Sequence, residues 1–429
     1  MGEAARATIV HRVLVLGGRL GEGLGALRER EYRLLFGATL TTSLGGAVGT
    51  IALAFAVLDV AGATSLGIVI AVRQGASAAV LVFGGVLSDR ARRNLVLVGA
   101  SLVQGAAQAA TAAIVLAGVA TVPLLAVLGV LWGLGDGLVV PAETGLVPQT
   151  VSPGRLQQAN ALQGLSRSGV RVAGPAVGGI LVVALNPGWA LAVDSASFFV
   201  CAALLARMRI APRAGAQRER FLHELRAGWR EFTARTWLWS TVLLFGIGNV
   251  FFMFMQVLGP AVAKERLGGA GPWAAILTVA GIGAIAGGVA AMRQRPARPL
   301  VACILWPLAV VPQFAALAAG APTWLIAACA FAGGFGLAIH VALWFTIFQR
   351  EVPERAQSRV AAYDAFGSFV LSPLGAAIAG PLAVALGTSS ALWLAAGALV
   401  AGNGAMLLIP AVWRIEARAP EGLRLRSAT

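Results

Sequence analysis

Basic residues recur on only every second connection of this chain, and that alternation leaves very few folds open. Twelve apolar stretches can be marked along the 429 residues, and 28 of the 33 Lys and Arg residues fall in the N-terminal tail, the even-numbered connections and the C-terminal tail. Five of the six odd-numbered connections carry none. Short loops rich in Lys and Arg are retained on the cytoplasmic side during insertion, so the pattern predicts twelve crossings with both termini inside. An even-numbered bundle of this kind points first to transport.

Composition supports a lipid-solvated chain: 58% of residues are hydrophobic and 12% charged, against roughly 25% charged in a soluble domain. The formal charge of +15 is spread over seven segments rather than gathered on one basic face, so it implies topology and anionic lipid headgroups, not nucleic acid. Cys201, Cys303 and Cys329 all lie in apolar stretches without metal or disulfide spacing. The first 30 residues interleave arginines with short apolar runs, and no cleaved signal peptide is expected.

The stretches span 34–58, 65–87, 95–117, 123–147, 160–185 and 188–206, then 237–263, 272–292, 299–319, 323–348, 360–386 and 388–413. Each has about the 20 residues needed to cross a bilayer core as a helix, and lipid leaves the backbone no other partners. Tryptophans 189, 237, 239, 273, 324, 393 and 413 lie near their ends, the place of an interfacial indole. The expected organisation is a tail (1–33), a six-helix unit (34–206), a linker (207–236), a second six-helix unit (237–413) and a tail (414–429). Within the linker, Phe221, Leu222, Leu225, Trp229 and Phe232 recur at helical spacing, which predicts an amphipathic interfacial helix.

The two units read as a duplication. Gly84-Gly85-Val86 and Gly287-Gly288-Val289 end equivalent spans, and Pro153, Arg155 and Gln157 match Pro353, Arg355 and Gln357. Parallel six-helix repeats around a central site are one transporter architecture.

Gly85-Val86-Leu87-Ser88-Asp89-Arg90-Ala91-Arg92-Arg93 resembles the loop signature of the major facilitator superfamily, and its G-V-L-x-D-R core followed by clustered arginines is similar to the enterobactin-exporter and macrolide-efflux branch. The likeness extends to Leu27–Leu35, Leu156–Leu162 and Val360–Ser368. It implies an all-α membrane protein of twelve transmembrane helices in two pseudo-repeats, working as a monomer. Gly174-Pro175-Ala176-Val177-Gly178-Gly179 resembles the core of the antiporter motif, and physically predicts a kinked, closely packed fifth helix.

Charges inside apolar spans are costly and therefore informative. Asp136 and Arg171 are expected to pair near the midplane, with Asp194 a further proton-coupling candidate, and Glu143 is expected to meet Arg167. Gly85, Asp89, Arg90, Arg92, Arg93, Glu143 and Asp364 form an expected conformational latch, its arginines bridging to acidic residues at neighbouring helix ends. Arg73 is expected to snorkel outward with Asp59 as a partner, His340 to be structural, and Phe251, Phe252, Phe254, Trp306, Trp344 and Phe345 are candidates for a greasy cavity.

No Walker A lysine exists, because Lys264 stands between Ala263 and Glu265. No H-E-x-x-H, no G-x-S-x-G and no metal-spaced cluster occurs, so neither an enzyme nor a bound cofactor is expected. The sequence thus points to a secondary exporter of small hydrophobic or amphiphilic molecules in a bacterial cytoplasmic membrane, working by proton antiport and alternating access, as in multidrug resistance. A siderophore or metabolite exporter is the second reading, and a non-transporting receptor or scaffold the reading from another class.

Overall fold

The computed structural model describes residues 25–90, 92–210 and 221–416, with side chains for all of these except 81–90, 221–225, 227, 355 and 358. The N-terminal tail before residue 25, the surroundings of Gly85 and the side chains of Asp89, Arg90, Phe221, Leu222 and Leu225 lie outside what is described. The described chain is helical throughout, with no strand.

The first six long helices are α1 (Arg30–Val60), α2 (Ala63–Arg90), α3 (Arg93–Leu116), α4 (Val122–Leu146), α5 (Leu156–Ala184) and α6 (Pro187–Ala206). A short α7 (Phe221–Thr233) leads into α8 (Thr236–Val262) and α9 (Ala270–Ala291). Two of the remaining spans are interrupted. The first is α10 (Pro299–Leu305), a 3-10 turn at Trp306–Val310 and α11 (Val311–Ala318); after α12 (Thr323–Glu351), the second is α13 (Glu354–Phe369) and α14 (Ser372–Leu386). The last is α15 (Thr388–Met406). Among the described residues, eleven stretches are long and apolar enough to cross a membrane; α15 completes the set, its hydropathy lowered by Thr388, Ser389, Ser390 and Asn403.

The interruptions correct the expectation of continuous helices at 299–319 and 360–386. Pro307, Pro312 and Pro373 each remove a backbone donor and crowd the preceding turn. Elsewhere polar side chains satisfy themselves on their own helix: Thr39 and Thr41 donate to the carbonyls of Leu35 and Gly37 at 3.0 and 2.7 Å. Where helices must touch closely the contact residue is glycine, as at Gly283 and Gly287 in α9, which face the Phe331 and Phe335 backbone of α12 with no room for a methyl group.

Packing shows which end of the bundle is shut. At the arginine-poor end one core joins both sets of helices, including Ile51, Phe55 and Leu66 with Phe254, Leu258, Phe314 and Ala376. At the arginine-rich end there are two separate cores: Tyr32, Leu35, Leu97, Leu146 and Leu205, and, apart from them, Leu238, Leu300, Ile339, Ile347 and Val360. Among the described residues, the two sets of helices are therefore locked together at one end and part at the other. The main cross-contacts run between α2 and α14 and between α5 and α9.

The helix of the linker does not simply lie at the interface. Trp229 and Phe232 of α7 pack on Tyr363 of α13, with ring centroids 5.4 and 5.9 Å away, docking it on the second set of helices. Trp189, Trp324 and Trp393 are exposed as an interfacial anchor requires, whereas Trp273 is buried beneath α8 against Gly259. That buried position corrects its expected role.

Candidate central cavity and its buried charges

A cavity of about 560 Å³ lies between the two sets of helices. Its walls are mostly apolar: Ile51, Leu53, Leu66 and Ile70 on one side, Phe252, Met253, Trp273 and Phe369 on the other. Polar groups interrupt them: Thr50, Arg73, Gln74, Ser77 and Asp136 from the first six helices, Asn249, Gln256 and Ser372 from the later ones. A pocket of this size and mixture suits a small, largely apolar molecule with a polar edge.

The charged part of the wall is built by α2, α4 and α6. Arg73 lays its guanidinium over the indole of Trp132 on α4, 3.2 Å from the ring centroid. One turn along α4, Asp136 Oδ2 accepts a hydrogen bond from Ser77 Oγ at 2.7 Å, and the Arg73 charge interacts with both Asp194 and Asp136. Asp194 on α6 is wholly buried, accepts from Gln108 Nε2 at 2.7 Å through Oδ2, and leaves Oδ1 without a partner. The fit of α6 on α1 depends on this carboxyl: Gly45 and Gly49 pack directly against it.

This geometry overturns two expectations. Arg73 does not snorkel outward; it turns inward because an aromatic face and two carboxylates lie there, while Asp59 is taken by Lys264. Asp136 and Arg171 are not brought together: Arg171 is exposed, and α4 packs on α2 and α3 whereas α5 packs on α1, α6 and α9. Near the turn that joins them the two helices are still close, and there Glu143 does stand 3.6 Å from Arg167, an ion-pair contact without a hydrogen bond.

Among the latch residues, Gly85, Asp89 and Arg90 fall in the α2 segment whose side chains are outside the described set. Arg92 is exposed, and Arg93 donates to the Gly145 carbonyl at 2.6 Å, gripping a helix C-terminus. Asp364 is correspondingly placed within its own set of helices, accepting from Trp344 Nε1 at 2.9 Å and from Ser368. His340 Nδ1 lies 2.8 Å from the Cys303 carbonyl. Of the aromatics expected in the cavity, Phe252 lines it, Phe254 is fully buried and Phe345 faces outward, 57% exposed.

The antiporter-like motif occupies the seam between three helices. Gly174 and Gly178 of α5 face Ala47, Val48 and Ile51 of α1, while Gly179 faces Ala274 of α9. Pro175 sits inside α5 beside this seam. Residues missed from the sequence are Gln74, Trp132, Asn249 and Gln256; an amide in an apolar span was the available signal for three of them. The second interruption is anchored here, because Asn249 Nδ2 donates to the Ser368 carbonyl at 2.9 Å.

Residues 34–368 match the profile of the Major Facilitator Superfamily. The enterobactin exporter EntS of Shigella boydii serotype 18 is 28% identical over 328 residues, covering 72% of this chain and 77% of that protein. Among solved structures, a bacterial homologue of the human lysosomal transporter Spinster, inward-facing and unoccupied, superposes with a TM-score of 0.69 at 14% identity, covering 91% of this chain and 99% of that one. A D-xylose–proton symporter gives 0.65 at 14% identity, with 90% and 98% covered. At such identities these structures bear on fold alone.

Proposed function

Since the chain belongs to the Major Facilitator Superfamily, and is thus a multi-pass secondary transporter and not an enzyme, we propose that it exports small hydrophobic or amphiphilic molecules across a bacterial cytoplasmic membrane in exchange for protons. The observation that carries this reading is the central cavity, apolar over most of its wall with Arg73 and Asp136 at one edge. With the arginine-rich end cytoplasmic, the parted end faces the cytoplasm, where an exporter loads. Units 34–206 and 237–413 then rock about the cavity to expose it alternately.

Charge supplies the coupling. Arg73 serves two carboxyl groups, Asp136 and Asp194, so in a low-dielectric setting the cluster is neutral when one of them holds a proton. A proton taken at one face and released at the other drives the substrate in the opposite direction. Asp136 is the exchanging group in this reading, because it lines the cavity while Asp194 is enclosed.

Everted vesicles test this. Energised uptake of a lipophilic fluorescent dye, collapsed by a protonophore and absent from vesicles lacking the protein, is the expected result. Uptake indifferent to the protonophore would remove proton antiport, and no movement of any substrate would favour a receptor or scaffold. Likeness to the enterobactin exporter supports a second reading, export of a siderophore or other metabolite; it predicts intracellular retention of that metabolite when the protein is deleted.

A further inference from the structure

Asp136 and Trp132 belong to two cavities, not one. Besides the central cavity they wall a second space of about 250 Å³, enclosed by α1, α3, α4 and α6 and running toward Glu143 at the arginine-rich end. Its polar lining includes Thr39, Thr42, Ser43, Ser101 and Gln104. Trp132 is the partition: Arg73 covers one face of its indole, and Phe198 meets the ring edge-on with centroids 6.2 Å apart. Two buried polar atoms at this space, Trp132 Nε1 and Glu143 Oε1, have no hydrogen-bond partner. Buried polar atoms without protein partners call for water, and the space is several times the roughly 30 Å³ one water occupies.

We propose that this crevice is a water-filled proton route between Asp136 and the arginine-rich face, separate from the substrate cavity and confined to the first six helices. Protonated Asp136 releases its proton to water on the crevice side, and hydrogen-bonded water relays it to the arginine-rich face, while the other side of the same residue faces the substrate. Proton and substrate then need not share a path, and a bulky substrate does not block coupling. The charged and titratable groups facing Asp136 or the route are Arg73 on α2, Asp194 and Cys201 on α6, Glu143 on α4 and Arg167 on α5. From α1 and α3, described side chains contribute hydroxyls and an amide but no charge. This inference rests on the proton-coupled reading above.

The crevice can be plugged from a position the fold leaves empty. Gly46 lines it, and a methyl group there would meet nothing within 4 Å. In proteoliposomes saturated with the lipophilic dye, so that the central cavity is filled, rapid-mixing infrared spectroscopy follows the deuterium shift of the carboxyl band that Asp136→Asn removes. Gly46→Leu should slow that shift by about tenfold, a modest rise in a transfer barrier, and Gly46→Ala by less. Ser43→Leu, one turn away, should reproduce the effect if Gly46→Leu does not assemble. Thr50→Phe, which crowds the central cavity instead, should leave the exchange rate unchanged.

An unslowed shift in both plugged variants overturns the proposal, as does slowing by Thr50→Phe alone or the absence of any band assignable to Asp136. The antiport reading fails separately. If the plugs slow exchange but dye moves without protons in the unaltered protein, the route stands and antiport falls.

Discussion

Lys264, the only lysine in the chain, donates to the Leu58 carbonyl at 2.7 Å and pairs with Asp59, tying the end of α1 to the π-turn that follows α8. The two partners come from opposite sets of helices. They meet at the arginine-poor end, where the shared core also lies, so this contact must break before the cavity can open that way. It is partly exposed, with side chains 35% and 54% accessible, and is worth on the order of 1 kcal/mol.

Lys264→Gln should therefore shift the equilibrium toward the opposite opening by about fivefold, without loss of folding. Spin-label distances across the arginine-poor end would show it as a larger population of long separations. An unchanged distribution would mean the apolar core alone holds that end shut.

Arg73, not Arg171, should govern the behaviour of Asp136. Arg73→Gln strands the buried Asp194 carboxyl and the half-buried Asp136 and should cost about 3 kcal/mol, with part recovered when Asp136→Asn is added. Arg171→Gln, at an exposed site, should stay within about 0.5 kcal/mol of the parent. Thermal denaturation in detergent gives both numbers, and vesicle assays on the stable double variant should show downhill but no uphill transport.

Two glycines three residues apart on α1 should respond oppositely to a methyl group. At Gly49 it would run into Asp194, whose Cγ lies 2.6 Å from the new carbon, so Gly49→Ala should destabilise by about 1–3 kcal/mol. At Gly46 there is open space, and Ala should stabilise the helix by up to about 1 kcal/mol. Melting temperatures of the two variants would separate them.

Glu29, just ahead of α1, accepts from Ser152 N at 3.0 Å, Ser152 Oγ at 2.8 Å and Arg155 at 3.3 Å. The Ser152 amide, then its hydroxyl and then the Arg155 charge hold the Glu29 carboxyl below the usual carboxylate range. A lowered folded-state pKa contributes stability that is fully present above the unfolded value near about 4.3 and disappears as pH falls through the folded value. Glu29→Gln should lower stability at neutral pH, where the contribution is present, and converge on the parent in acid, so that the acid side of the profile is flattened. A parallel slope in both proteins would show that the clasp contributes nothing.

Much of the molecule was legible in the residues. Twelve apolar stretches and their arginine-marked ends specify helices and depth, because lipid permits no unpaired backbone and insertion sorts charge. The glycines of the antiporter-like motif announced a close seam, and the register of Glu143 and Arg167 near a short turn announced their approach. Gln74, Asn249 and Gln256 were readable as out of place but not as facing one cavity. The breaks at Trp306–Val310 and before Ser372 follow from prolines, yet proline inside α5 leaves that helix continuous; neighbours decide which outcome occurs.

Sequence by itself determined the depth at which each charge sits, since helical rise converts residue number into position along the membrane normal. Only the tertiary structure decided which charges meet. Asp136 and Arg171 lie on helices consecutive in the chain, but the bundle inserts α2 and α3 beside α4 and turns α5 toward α1 and α9. Arg73 and Trp132, 59 positions apart like Ser77 and Asp136, share the helix seam instead. The physical reason is that rotation about a helix axis and choice of neighbour are set by side-chain packing across the whole bundle, and no local pattern of apolar residues encodes them.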